Sequence, residues 1–318
     1  MLVSPEVITF GEVLAVFLSA DDAPLGRSSA FDLVTAGAEA NVAIGLSRLG
    51  HSTRFTGRVG DDALGRRIER ELRGEGLATR LTIDPERPTG VIVRDAPAVG
   101  ATQVVYHRSG SAGSALTVDD LDLSAIGSAR LLHATGITAA LSATAFEATK
   151  AAMRAAREAG VTVTFDPNIR RRLGTPEHWL RIVTTLAPLA DVVLVGADDA
   201  SFVLPSAGLE STVAWFRDRG VDTVVWKDGA EGATELNPRD GTVRQAALPV
   251  HARDAVGAGD AFAAGWISGW LDGEEAPGRL RRAVTVAASV VAHRGDLPGL
   301  PDRDALRTLL SSSTEMNR

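Results

Sequence analysis

The chain has 318 residues, 45% of them apolar and 23% charged, with a formal net charge of −7. That length can bury a full core, and it suits one large α/β domain with an appendage, or two domains, of ordinary soluble composition. The acidic balance argues against a nucleic-acid or anionic-membrane partner, because counterion release needs a basic face, and the absence of cysteine excludes disulfides, thiolate catalysis and cysteine-based metal sites.

The opening MLVSPEVITFGE has no basic region ahead of its apolar residues and does not read as a secretory signal. No stretch approaches a membrane-spanning length free of charges and turn residues, so a cytoplasmic protein is expected. Val7–Phe10 reads as a buried first strand ending in Gly11-Glu12, with Val13–Leu18 and Phe31–Thr35 β-like after it. Ala36-Gly37-Ala38-Glu39-Ala40-Asn41 opens a helix in which Val42, Leu46 and Leu49 share one face and Gly50 supplies the stop. Ser52–Val59 is a strand, and Asp62 caps a helix that buries Leu64, Ile68 and Leu72. After Leu81–Ile83, Thr89–Arg94 and Thr102–Arg108 alternate as a hairpin-like pair joined by residues 95–100. Together with the early strands they can form a small sheet separate from the main one, a lid drawn from about residues 12–36 and 89–111.

From Leu131 the chain settles into strand–helix alternation. Strands are expected at Leu131–Ala134, Val161–Phe165, Val192–Val195 and Thr223–Trp226. Helices are expected at Ser142–Ala159, with Phe146 and Met153 inward, from Thr175-Pro176, at Thr212–Arg219, at Arg279–His293 and at Asp302–Leu310. Residues 311–318 read as a frayed end. The rhythm predicts a parallel, doubly wound sheet, in which ligands bind beyond the carboxyl ends of the strands.

Several chemically able residues fall at such ends. In Asp254-Ala255-Val256-Gly257-Ala258-Gly259-Asp260 two carboxylates flank a glycine turn at the start of an apolar helix. Small residues let backbone N–H groups approach an anion there, and Asp260 would stand beside it as a base. The competing explanation is a glycine-rich turn with an acidic N-cap. Asp166-Pro167-Asn168-Ile169-Arg170 follows one strand, and Arg170 is the ligand candidate, whereas Arg171 and Arg172 read as a solvated basic run. Tyr106 and Arg108 share a face of the hairpin by period-two alternation, which suits a polyhydroxy acid, although an edge-strand charge pair explains them equally. Lys227-Asp228-Gly229-Ala230-Glu231-Gly232 is a turn after another strand, on the side where a nucleotide would lie. His133 reads as a satisfied core histidine, and the 6 histidines lack metal-ligand spacing.

Assembled, these pieces resemble the ribokinase-like (PfkB) family of sugar kinases. Gly37-Ala38-Glu39-Ala40-Asn41-Val42-Ala43 with Leu49-Gly50 resembles its N-terminal motif, and Gly257-Ala258-Gly259-Asp260 its C-terminal motif. The resemblance runs nearly end to end. It implies an αβα sandwich with a β-sheet lid, ATP with Mg²⁺, an optional monovalent cation such as K⁺, and phosphorylation of a sugar hydroxyl. Dimers formed through the lid are common in the family.

Within the family the chain is most similar to the 2-keto-3-deoxygluconate kinases, through Tyr106-His107-Arg108-Ser109-Gly110-Ser111-Ala112-Gly113-Ser114-Ala115, Gly136-Ile137-Thr138 and Arg294-Gly295-Asp296. The similarity implies that Gly37, Tyr106, Arg108, Ile137, Arg170 and Asp296 line the substrate site, with Arg108 and Arg170 on the carboxylate of a sugar acid. Asp260 would be the base, Gly257, Ala258 and Gly259 the anion turn, Lys227, Gly229 and Gly232 the nucleotide side, and Asp199 and Asp254 the metal-associated carboxylates. Four positions depart from the pattern. Ala36 replaces the first glycine of a pair, Ile92 a lid tyrosine, Gly196 the polar residue that begins an Asn-x-x-Glu-like element, and Ala255 the hydroxyl residue after the first Asp.

A fructokinase- or ribokinase-type neutral sugar kinase differs from this reading only in substrate. A non-catalytic sugar or nucleotide sensor on the same fold would bind ATP without turnover. A dinucleotide-binding dehydrogenase is disfavoured, because glycines 257, 259 and 265 lack the fingerprint spacing and come too late in the chain.

Overall fold

The structure, a computed structural model, describes residues 5–21, 23–97 and 102–315, the last four of these by backbone alone. Among the described residues, thirteen strands form two sheets. The strands are Val7–Phe10 (β1), Leu14–Ser19 (β2), Phe31–Ala36 (β3), Thr53–Gly60 (β4), Ala78–Asp84 (β5), Val91–Arg94 (β6), Val104–His107 (β7), Leu131–Thr135 (β8), Thr162–Asp166 (β9), Val192–Gly196 (β10), Thr223–Lys227 (β11), Ala233–Asn237 (β12) and Gly241–Gln245 (β13). The larger sheet runs β13-β12-β11-β10-β9-β8-β1-β4-β5, parallel except for the antiparallel edge pair β12 and β13. The smaller sheet runs β3-β2-β6-β7.

Alternate side chains of the central strands explain the layers. Val193 and Val195 of β10 join the cluster containing Phe165 and Trp179, while Val192 and Leu194 join the one containing Trp266. A strand buried on both faces must be apolar throughout, which is why β10 reads as a continuous valine–leucine run. The helix Ala258–Leu271 is buried along nearly its whole length and lies between the helices Ala38–Arg48 and Ala276–Val291, with Phe262 and Trp266 packed on the sheet. Local signals set the other helices: Asp62 accepts the Gly65 N–H at 2.8 Å, and Thr175 accepts the His178 N–H ahead of Pro176.

Some elements differ from the sequence expectation. The β12–β13 hairpin is absent from the strand–helix rhythm because its turn is held by a side chain. Asn237 Oδ1 accepts the N–H groups of Arg239 and Asp240 at 2.9 and 2.7 Å. Short helices Gly136–Leu141 and Ala197–Val203 follow β8 and β10 directly. The helix expected at Thr212–Arg219 spans Leu209–Arg217, and the one expected at Arg279–His293 spans Ala276–Val291. The final helix continues through Glu315 instead of fraying at Ser311. Residues 98–100 of the expected hairpin connection lie outside the described residues. Among the described residues, no helix is long and apolar enough to cross a membrane.

Candidate active site

From β1 the chain builds β4 and β5 on one side, and from β8 it builds β9, β10 and β11 on the other. The order reverses at the β1–β8 boundary, where the carboxyl ends of parallel strands leave a crevice. Beside it, beyond the carboxyl ends of β9, β10 and β11, opens a cavity of about 1120 Å³. Its walls come from the ends of β9–β11, the start of the helix Ala258–Leu271, and the inner side of the smaller sheet through Val16, Ile92 and Tyr106.

Asp260 lies in the first turn of that helix, buried and facing the cavity. Asn41 Nδ2 donates to its Oδ2 at 2.9 Å, and Asn168 Nδ2 donates to its Oδ1 at 3.1 Å. Burial pushes its pKa up to about 7, against the Asn41 hydrogen bond and the positive charge of Arg170, with Asp296 and Asp166 adding to the rise. A carboxylate that titrates near neutrality can accept a proton in the working pH range. Gly257 enters the helix at φ 82°, a left-handed conformation open to glycine, and a Cβ there would stand 3.1 Å from the Asp296 Cα. The Ala258 N–H closes the turn on the Ala255 carbonyl at 3.3 Å, which leaves the N–H groups of Gly259 and Asp260 at the positive end of the helix dipole, beside the cavity.

The ends of β9, β10 and β11 carry the remaining charge. Lys227 Nζ lies 2.5 Å from Asp166 Oδ2, and a Cβ on Gly259 would stand 3.8 Å from the same ammonium. Lys227 and the glycine turn thus face one space, which Gly229 and Gly232 also line. Asp199 accepts the Ile169 N–H at 3.1 Å on Oδ1; burial, with the nearby Asp166 charge, pushes its pKa up to about 6. Arg170 lines the cavity between these carboxylates and Asp260 and draws both pKa values down. Among the described residues, no group of three or more His, Cys, Asp or Glu side chains could hold a metal ion.

The predicted substrate residues divide into two groups. Tyr106, Arg170 and Asp296 line the cavity together with Asp260. Gly37, Arg108 and Ile137 are not among the described lining residues and cluster around two buried glutamates at the strand reversal. Arg108 pairs with Glu12, and a Cβ on Gly37 would strike the Glu12 carbonyl. Ile137 follows Thr135, whose hydroxyl, like that of Thr138, donates to Glu39 Oε1 at 2.6 Å. Burial pushes the carboxyls of Glu12 and Glu39 up, opposed at Glu12 by Arg108 and at Glu39 by the two threonines.

Asp254 is buried, and Arg94 bridges it to Asp296 with 2.8 Å contacts on each side. Arg171 and Arg172 are exposed, as expected of a solvated run; Arg172 also donates to the Val104 carbonyl at 2.7 Å and lies over the Tyr106 ring, while Arg171 lies over Phe202. His133 is buried with Nδ1 3.0 Å from Thr164 Oγ1, and burial pushes its pKa down to about 4.

Sequence reasoning assigned no role to Asn41, Asn168, Arg94, Asp166 or Glu39. Asn41 and Asn168 sit inside motifs already singled out, and Asp166 and Asn168 follow a strand end, so position alone could have nominated them. Nothing local marks Arg94, which ends an ordinary apolar strand.

The family model for pfkB family carbohydrate kinases matches residues 4–303 of this chain. A 2-dehydro-3-deoxygluconokinase from Bacillus subtilis is 34% identical over 98% of this chain and 98% of its own length. One of the same name from Thermoproteus tenax is 36% identical over 96% of this chain and 94% of its own. Among solved structures, a PfkB protein from Polaromonas sp. JS666 superposes with a TM-score of 0.87 at 39% identity, covering 95% of this chain and 99% of that one.

Proposed function

Because the chain belongs to the pfkB family of carbohydrate kinases, we propose that it transfers the terminal phosphoryl group of ATP to the terminal hydroxyl of a sugar acid, 2-keto-3-deoxygluconate. The observation that carries the chemistry is Asp260, a cavity-facing carboxylate with a pKa of about 7 beside a turn of N–H donors. The acid substrate is supported by Arg170, a guanidinium on the same cavity, and by the names of the two relatives.

In this reading Arg170 binds the substrate carboxylate by charge-assisted hydrogen bonds, with Tyr106 and Asp296 on the sugar hydroxyls. Arg108, tied to Glu12, shapes the far side. The sugar hydroxyl gives its proton to Asp260 as its oxygen bonds to the terminal phosphorus of ATP. The bond from that phosphorus to the bridging oxygen breaks, and ADP leaves with the electron pair. Charge on the phosphoryl oxygens is met by the N–H groups of Gly259 and Asp260, in the turn that the Ala258 N–H closes, and Lys227 faces the same space. The loop from Lys227 through Gly229 to Gly232 forms the nucleotide side.

Mg²⁺ keeps most of its waters and needs only one or two carboxylates beside substrate phosphates. Asp199, a half-buried carboxylate on the cavity beside the Asp166 charge, fits that requirement and would hold it. When bound, the ion neutralises the phosphate oxygens. Pairing of two copies through the smaller sheet belongs to the same reading, supported by the exposed Phe31 and Val105 on its strands.

The test is ADP release from MgATP with 2-keto-3-deoxygluconate beside fructose, ribose and gluconate, with Asp260→Asn as control. Preference for the keto acid, lost in the variant, is expected. Equal or better turnover of a neutral sugar overturns the substrate class, and ATP binding without turnover of any substrate overturns catalysis in favour of a sensor.

A further inference from the structure

The family resemblance gives Asp254 a place beside a monovalent cation, and the residues around it do not fit one. Asp254 is buried, and its oxygens already receive three donors. Arg94 Nη1 lies at 2.8 Å and the Gly295 N–H at 3.1 Å on Oδ2, with the Val256 N–H at 3.1 Å on Oδ1. The next residue, Ala255, offers a methyl group and no oxygen. A metal cation brought to this carboxylate would stand against a guanidinium that is itself almost wholly buried. Two positive charges at such separation repel strongly wherever water is excluded.

Arg94 also spans two parts of the molecule. It is the last residue of β6 in the smaller sheet, whereas Asp254 opens the glycine turn and Asp296 lines the cavity. Asp254 orients the turn through the Val256 N–H, and Asp296 accepts from Asn41 at 3.3 Å, the same amide that donates to Asp260. One guanidinium therefore holds both the anion turn and, through Asp296 and Asn41, the base. Its planar fork suits two carboxylates at once, which a spherical ion cannot orient in the same way.

We propose that Arg94 is the positioning cation of the glycine turn: carried in by the smaller sheet, it neutralises Asp254 and Asp296 directly, so this protein works without a bound monovalent metal ion. The assignment of its effect on rate rests on the phosphoryl-transfer reading above; the assignment of charge does not. A guanidinium fixed on a strand cannot exchange with the medium, so the charge at the turn depends on how the smaller sheet is seated and not on the salt present.

The experiment compares the full-length protein, Arg94→Ala and Arg94→Lys in KCl, NaCl and choline chloride at equal ionic strength. It reads kcat and KM for both substrates, and the melting temperature of the ligand-free protein. For the unaltered protein, kcat and melting temperature should be the same in all three salts. In choline, Arg94→Ala should lose about 10- to 100-fold in kcat, the scale of a misplaced reacting group, with a smaller change in KM. The cavity left by the guanidinium should then admit K⁺, restoring at least about 5-fold of that rate and raising the melting temperature, since a ligand that binds only the folded state stabilises it. Arg94→Lys keeps one charge on one carboxylate, so it should fold, turn over slowly and remain indifferent to K⁺. If the unaltered protein is faster or more stable in KCl than in choline, or Arg94→Ala keeps full kcat in choline, the proposal is overturned. If no protein turns over any sugar, the kinase reading fails while the melting temperatures still decide the charge assignment.

Discussion

Asn168 donates its side-chain amide to Asp260 across 3.1 Å, and it does so from a left-handed backbone, φ 42°. It is the single non-glycine residue with positive φ among the described residues. Asn visits that region at lower cost than a branched or bulky residue would. The turn after β9 thus adopts a disfavoured conformation in a place where its amide reaches the carboxylate across the cavity.

Asp260→Asn keeps the shape and removes the proton acceptor. Turnover should fall by at least ~10²-fold while ATP still binds, which calorimetry checks. In the unaltered protein the rate should rise with pH through about 7 as the carboxyl ionises. Folding raises this group's pKa above the ~3.9 of a free aspartate. Its contribution to stability is therefore full below about pH 4 and is lost as pH climbs towards 7. The melting temperature of Asp260→Asn relative to the unaltered protein should increase over that window; a constant difference would contradict the assignment.

Asn41→Leu removes the hydrogen bond that holds the Asp260 pKa down. The acid limb of the pH–rate profile should move to higher pH. The rate at pH 7 should fall up to about 10-fold, equivalent to ~1.4 kcal/mol, with recovery in alkali. A depressed rate without movement of the limb would reduce Asn41 to a packing role.

Arg170→Leu should raise KM for a sugar acid by about 10- to 100-fold, the loss of a charged hydrogen bond, with little effect on a neutral sugar. Parallel kinetics with both substrates decide it, and equal effects would argue against a carboxylate contact.

Lys227→Met leaves Asp166 buried without its ammonium. Denaturant unfolding should show a loss of about 3 kcal/mol, as for other broken buried pairs, together with weaker ATP binding. Unchanged ATP affinity in a destabilised variant would make Lys227 a structural counter-ion alone.

The glycine turn, the helix behind it and Asp260 at its mouth were legible in the sequence, because a turn and the helix it starts are contiguous and obey local rules of backbone freedom and dipole. So was the parallel sheet, whose doubly buried strands must be apolar throughout. The pairings within the site were not legible. Asn41 and Asp260 are 219 residues apart, Arg94 and Asp254 160, and Lys227 and Asp166 61. Which strands lie side by side, and where the smaller sheet comes down, decided them. A buried charge must find a partner wherever the fold supplies one, and no spacing along the chain records that choice. Tyr106 and Arg108 show the limit from the other side. Strand alternation put both on one face, but the tertiary structure gave the cavity to Tyr106 and turned Arg108 toward Glu12, the carboxylate the packing had left there. Sequence by itself determined which chemistry each segment could perform, and the tertiary structure decided which of those groups stand within reach of one another.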